Sequence, residues 1–449
     1  MAQEPPNGKP GPDGWARAHT ASWISIIGPA VITFASPLWM SFNWSALTFF
    51  DGSLSATMLA CRPPHVLDFV QTYFPRPTVA GTVGYAAWLL FQGLLYHFLP
   101  GPSCNGQRTP GGHTLQYTTN GLMAYCLTHL LFLAASVLGI IDPAIIAKHW
   151  EGLLMASSVY GLFLSAFVQC KGYWFPSYPA DCKSSGSWIF DFFGGVELNP
   201  RLGKHWDIKF FHNGRPGIVA WTLIDLSWAA YQREKLGYVT NSMLIVLLLH
   251  TIYVVDFFWN EDWYLRTIDI AHDRFGFMLG WGSVTFLPSF YTLQVQYLAR
   301  FHTRLDPLQD AAILALGLTG YAIFRSANWQ RDYVRQHDGR DVTLWGTPAQ
   351  VIRCTYRTED GAAHHSLLLA SGWWGVCRHT NYLADLMQAA AMCATCGATH
   401  LLPWSYFCFM MVLLNHRILR DEEKCLNKYG AKWVEYCKKV PYRLIPGVY

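Results

Sequence analysis

Four segments of the 449-residue chain carry side chains whose types and spacing could do chemistry. In FRSANWQRDYVR (residues 324–335), Arg331 and Arg335 stand four positions apart and share a face if the segment is helical. Two guanidinium groups so placed can clamp a phosphate through bidentate hydrogen bonds. A basic face meeting anionic lipid head groups would show the same spacing. In LLLASGWWGVCRHTNYLAD (residues 367–385), Gly372 and Gly375 flank Trp373 and Trp374, and Arg378, Asn381, Tyr382 and Asp385 follow at helical intervals. Glycine permits close backbone approach, and Trp offers a flat face to a planar ring. The competing reading pairs Arg378 with Asp385.

In NHRILRDEEKCLNKYGAKWVEYCKKVPYRLIPG (residues 415–447), Arg417 and Asp421 are again four apart, and Lys428, Tyr429, Trp433 and Tyr436 extend a polar, aromatic face. An amphipathic helix lying on a membrane would share that pattern. The fourth segment, IYVVDFFWNEDWYLRTIDIAHDRFGF (residues 252–277), sets Tyr253, Asp256, Glu261 and Asp269 within or beside apolar runs. A phenol and several acids in such a place suit proton donation into an apolar pocket, or else cap helix ends at an interface.

The elements that position these groups are read from where charge is missing. Charged residues make up 14% of the chain, against about 25% in soluble domains. Residues 18–50, 77–107, 109–141 and 152–170 contain no Asp, Glu, Lys or Arg, and residues 386–416 contain none either. A helix needs about 20 mainly apolar residues to cross a bilayer. With the apolar windows near 216–231, 239–259, 275–298 and 311–324, the chain offers nine to ten candidate spans. It reads as an all-α, polytopic membrane protein. A flexible polar tail is expected over 1–20, without the pattern of a signal peptide, then helices and a polar loop over 21–215, then a pocket-bearing helical half over 216–449.

The run 386–416 is broken by Gly397 and Pro403, so it is expected as two helices or a re-entrant pair. Residues 417–449 carry eight Lys and Arg against four acids, which places them in the cytosol by the positive-inside rule. A net charge of +4 is too small to announce a nucleic-acid binder, and none is expected. The twelve cysteines lack the spacing of a secreted disulfide framework, and Cys393 with Cys396 reads as packing rather than a metal site. Neither a Walker A pattern nor a G-x-G-x-x-G is present, and His364–His365 is too small a cluster for di-iron.

The stretches FGGVELNPRLG (residues 193–203), HNGRPGIVAWTLI (212–224), LLLASGWWGVCRHTNYLAD and LRDEEKCLNKYGAKWVEYCKKVPYRLIPG resemble the sterol reductase family, which holds the delta-14, delta-24(28) and delta-7 reductases. The HNGRPG stretch, with DGR…LWG…HHS over 338–366, resembles the delta-7 members in particular. The resemblance extends over nearly the whole chain. It implies a ten-helix, multi-pass endoplasmic reticulum protein that reduces a sterol with NADPH, and that associates with other membrane enzymes of the sterol pathway.

Carried over by position, the cofactor contacts fall on Arg331, Arg335, Leu369, Trp374, Asn381, Tyr382, Asp421, Cys425, Leu426, Asn427, Lys428, Tyr429 and Tyr436. Tyr253 and Asp421 are the implied proton-donor pair, with Glu261 as an alternative acid. Many relatives carry Lys where Arg331 stands, and Ala384 replaces the Gly usual before the Asp of the NYxGD pattern. Rival readings are a delta-14 reductase of the same family, a methyltransferase of the isoprenylcysteine type, which the NPR motif and the long N-terminal half oppose, and a catalytically silent sterol-binding scaffold.

Overall fold

The computed structural model describes residues 23–357 and 363–449. Five helices among them are long and apolar enough to cross a membrane: Ser25–Phe49, Val79–Phe98, Trp150–Trp174, Asn241–Trp259 and Pro307–Gln336. The apolar helix Gly121–Val137 is shorter. Length and composition therefore give a multi-pass protein but do not by themselves reach the expected ten spans.

The outward faces of the spans are greasy, with Val31, Phe34 and Leu38 of the first helix and Val79, Val83 and Leu90 of the second all exposed. Such faces need lipid rather than water as solvent. Hydroxyls on the first helix fold inward, Thr33 donating to Pro29 O at 2.8 Å and Ser41 to Pro37 O at 3.0 Å, so they present no unpaired donor to lipid.

The chain divides into two compact units. The larger runs to Thr303 and adds His400–Leu402; the smaller comprises Arg304–Thr399 and Pro403–Tyr449. Position 215/216, where the sequence suggested a boundary, lies inside a continuous helical stretch: Ile208–Gly214, a π-turn over Arg215–Val219, then Ala220–Leu236. The apolar window at 275–298 is likewise several short helices around a second π-turn, Gly282–Phe286. In the larger unit the polar loop before Arg215 is folded around buried ion pairs, Lys171–Glu197 at 2.8 Å and Arg201–Asp207 at 3.2 Å.

In the smaller unit Pro307–Gln336 starts at a capping box in which Asp306 and Gln309 satisfy each other's backbone amides. It packs along Thr380–Ala394, close enough that a side chain on Gly320 would meet the Ala384 carbonyl at 2.8 Å. The break at Gly397 and Pro403 separates that helix from Ser405–Tyr429, which Ala431–Lys439 follows. The all-α expectation needs one correction, because four two-stranded antiparallel sheets interrupt the helices among the described residues. The longest pairs Val351–Arg357 with Ala363–Leu369 in register from Val351↔Leu369 to Arg357↔Ala363. Among its buried positions, Ile352, Cys354 and Leu368 share a core with Trp433, Tyr436 and Val440. In the first strand Ile352 and Cys354 alternate with the exposed Arg353 and Thr355, the period of two that a strand supplies and a helix does not.

Candidate functional site

The last two turns of Pro307–Gln336 bring Arg331 beside Trp374, with the guanidinium carbon 4.9 Å from the indole centroid. Arg331 Nη2 donates to Asn328 Oδ1 at 3.2 Å. Its Nε is buried and makes no hydrogen bond among the described residues, while the Asp332 carboxylate stands 3.9 Å away. Arg335 lies one turn further on, exposed, and its charge repels that of Arg331. Two neighbouring cations, one with an unmet donor, are stabilised by an anion placed between them.

The indole platform is held rigidly. Trp374 Nε1 donates to Ala327 O at 2.7 Å, Trp373 Nε1 to Ser326 Oγ at 2.9 Å, and the Trp373 amide to Gln330 Oε1 at 2.9 Å. Tyr436 donates its hydroxyl proton to Trp374 O at 3.3 Å. The turn into this pair requires Gly372, whose φ is +60° and where any side chain would run into Gln330. Leu369 packs with Val334, Leu344 and Trp374.

The RHTNY stretch opens the Thr380–Ala394 helix. Arg378 turns away from Asp385 to Glu422, at 2.8 Å, and donates to the carbonyls of Val440 and Pro441. That removes the reading in which Arg378 and Asp385 pair; the cation acting on Asp385 is Arg417. Glu422 also accepts from Arg443 Nε at 2.8 Å, so one carboxylate ties two arginines together. His379 stacks on Tyr382 with centroids 5.4 Å apart, and its Nε2 lies 3.5 Å from Asp421 Oδ2. Asn381 Oδ1 is buried without a hydrogen-bond partner among the described residues.

Asp421 lies beyond the apolar run that ends at His416. Burial opposes its charge, yet the His379 hydrogen bond, reinforced by the charges of His379, Lys424 and Arg331, holds its carboxyl below the usual range. These surroundings favour a carboxylate rather than the neutral acid that a dry cavity would produce. Cys425, one turn on, is pushed up to about 12 by burial and by Asp421, so it is a packing group and not a nucleophile.

Cys425 and Tyr429 pack on the Trp433–Tyr436 core, and the Tyr429 hydroxyl meets Ser366 Oγ at 3.1 Å. Lys428 Nζ stands over the Tyr356 ring at 3.9 Å. Leu426 and Asn427 occupy the outer, exposed face of the helix. The smaller unit thus draws Arg331, Trp374, Tyr382 and Asp421 into one electrostatic neighbourhood. His379, Gln330 and Glu422 were missed as site residues, although His379 stands between Arg378 and the flagged Asn381–Tyr382 pair.

The remaining predicted residues belong to the larger unit. Tyr253 lies 5.5 Å from the Trp221 ring, in a cluster with Val254, Phe258 and Tyr291. Glu261 is buried, its Oε1 2.6 Å from Arg215 Nη1 and its Oε2 accepting from the Gly121 amide at 2.8 Å. Arg215 in turn donates to Asn120 Oδ1 at 2.9 Å, and rings of Tyr96, Phe210 and Phe258 surround it. Both Glu261 oxygens are thus committed to holding structure, which is a poor arrangement for giving up a proton.

A profile of the ergosterol biosynthesis ERG4/ERG24 family matches residues 21–449. The chain is 44% identical over 451 aligned positions to a protein of Danio rerio named 7-dehydrocholesterol reductase, covering 98% of this chain and 94% of that one. It is 43% identical to the Xenopus laevis protein of the same name, over 97% and 94% of the two chains. A Delta(14)-sterol reductase of Methylotuvimicrobium alcaliphilum is 36% identical over 95% of each. A match over residues 21–449 and relatives this similar over nearly their whole length lead to one conclusion: the chain belongs to the ergosterol biosynthesis ERG4/ERG24 family.

Proposed function

We propose that the protein is an NADPH-dependent reductase of the 7,8 double bond of 5,7-diene sterols, working in the endoplasmic reticulum membrane. The observation that carries the cofactor reading is Arg331: a half-buried guanidinium with a buried, unmet Nε, a like charge beside it and an indole against it. That donor set fits the phosphate of a nucleotide, and Trp374, Asn381, Tyr382 and Tyr436 fit its planar and hydroxylated parts. Bound NADPH supplies hydride, which a carbon–carbon double bond without an electron-withdrawing group does not accept unaided.

The protein's own contribution is therefore a proton. Protonation at carbon 8 of a 5,7-diene leaves electron deficiency at carbon 7, conjugated with the 5,6 double bond, and hydride completes the reduction there. Asp421 and Tyr253 are assigned to that proton delivery, and Glu261 is left to hold Arg215. The delta-7 choice rests on the 43–44% identity to proteins named 7-dehydrocholesterol reductase, against 36% to the Delta(14) relative.

Expression in a yeast strain that accumulates 5,7-dienes tests it. The diene ultraviolet spectrum should disappear in an NADPH-dependent manner, and more slowly with Tyr253→Phe or Asp421→Asn. An unchanged diene spectrum would favour delta-14 reduction, the activity in the name of the 36% relative.

A further inference from the structure

We infer that His379 is a positioning residue that holds the proton Asp421 delivers, the two side chains working as one proton-carrying pair; this rests on the reading of Asp421 as part of the proton donor. A carboxylate that stays charged in its resting surroundings needs a neighbour from which a proton comes. The side chain placed to do so is His379, with Nε2 3.5 Å from Asp421 Oδ2, at the outer limit of a direct hydrogen bond. Such contacts are often long until the cofactor and substrate are in place.

The ring has little freedom. His379 is 4% exposed, its backbone amide donates to Arg443 O at 3.0 Å, and its face stacks on Tyr382. Nδ1 meets the same Arg443 carbonyl at 3.2 Å. A carbonyl can only accept, so Nδ1 must carry hydrogen, and Nε2 is left as the nitrogen that gains and loses a proton. That nitrogen is the one facing Asp421.

The carbonyl that fixes the tautomer is itself fixed. Arg443 Nε is held by Glu422, which also clasps Arg378, and the Arg378 amide donates to Tyr442 O at 2.9 Å. The C-terminal strap thus sets which histidine nitrogen faces the carboxylate. The groups around the pair are Asp421, Lys424 and Glu422 from Ser405–Tyr429, Arg331 from Pro307–Gln336, Tyr382 from Thr380–Ala394, and Arg378 and Arg443 on the strap side. Proton balance is simple. The imidazolium gives its Nε2 proton to the carboxylate, the carboxylic acid so formed passes one proton to the sterol carbon and returns to carboxylate, and solvent then reprotonates the imidazole.

The test uses the full-length protein with NADPH and a 5,7-diene sterol, and follows kcat and KM against pH for wild type and His379→Gln. The expected result is a 10- to 100-fold lower kcat, a KM for NADPH within twofold, and loss of the alkaline fall in kcat that marks deprotonation of the pair. An unaltered kcat would overturn the inference. So would a low kcat that keeps the wild-type pH profile, which is the mark of a structural role, or a raised KM for NADPH alone.

If His379→Gln accumulates poorly, His379→Asn retains a donor for the Arg443 carbonyl, and added imidazole should restore part of its turnover. Pairing is also read without turnover, by following the ¹⁵N resonance of His379 Nε2 against pH in wild type and Asp421→Asn; superimposable titrations would overturn it. A wild type that shows such pairing yet leaves the diene intact would break the proposed function and not the pair.

Discussion

Three ion pairs of the larger unit and the Arg331–Asp421 neighbourhood of the smaller one differ in how far their charges are answered. Arg215 and Glu261, Lys171 and Glu197, and Arg201 and Asp207 are ion pairs nearly sealed from solvent and backed by amides, carbonyls or aromatic faces, with Arg215 Nε the one guanidinium nitrogen of Arg215 that meets no partner among the described residues. In the smaller unit Arg331 keeps an unmet Nε, Asn381 an unmet carbonyl oxygen, and Asp421 leans on a histidine at the edge of hydrogen-bond range. A satisfied buried pair specifies one packing, because removing either member strands the other. An unsatisfied one has capacity left for a ligand. The contrast is between these two sets of charges and not between whole units, since Arg378, Glu422 and Arg443 form a closed cluster inside the smaller unit.

The largest effect should come from breaking a sealed pair. Arg215→Met leaves Glu261 buried without its counter-ion, and the expected loss is about 3–5 kcal/mol. Thermal unfolding of the detergent-solubilised protein measures it. A variant that melts like wild type but turns over slowly would move the Arg215–Glu261 pair from structure to chemistry, and the contrast between the two sets would fail.

Next in size is Asp421→Asn, which removes the acid without removing its volume. Turnover should fall about 100-fold or more, with NADPH affinity changed only a few-fold and the melting temperature little altered. Arg331→Ala should do the reverse. NADPH binding should weaken about 10-fold or more, the scale of a lost charged hydrogen bond, with little loss of stability, because no sealed pair depends on Arg331. Arg331→Lys keeps the cation and loses the planar fork, so its loss should be smaller than that of the alanine variant. Equilibrium titration of NADPH fluorescence distinguishes these, and equal loss in both would mean that guanidinium geometry, not charge, carries the site.

Much of this division could be read along the chain. Charge-free runs marked membrane helices because lipid imposes length and apolarity locally, and the Arg331–Arg335 and Arg417–Asp421 spacings reported helical faces for the same local reason. Partners remote in sequence were not legible. Arg215 meets Glu261 46 positions away, and Glu422 gathers Arg378 from 44 positions before it and Arg443 from 21 after it. No periodicity encodes those contacts, so Glu261 read as a free acid and His379 was passed over. The π-turns at Arg215–Val219 and Gly282–Phe286 also escaped, since one extra residue in a helical turn leaves the apolar pattern almost unchanged.

The smallest effect tests whether the Asp421–His379 contact adds anything to stability. The Asp421 carboxyl is held below its usual range in the folded protein, so the unfolded chain takes up that proton more readily. Its contribution is fully present above the ordinary carboxylate range and is lost as pH falls through the lowered value. Because 36% of the Asp421 side chain meets water, solvent screens the interaction and the effect should be slight. Melting temperatures of wild type and Asp421→Asn should therefore differ little at neutral pH and converge on acidification. A large difference at neutral pH would place this pair with the sealed pairs of the larger unit, and the charge at Asp421 would then belong to the fold.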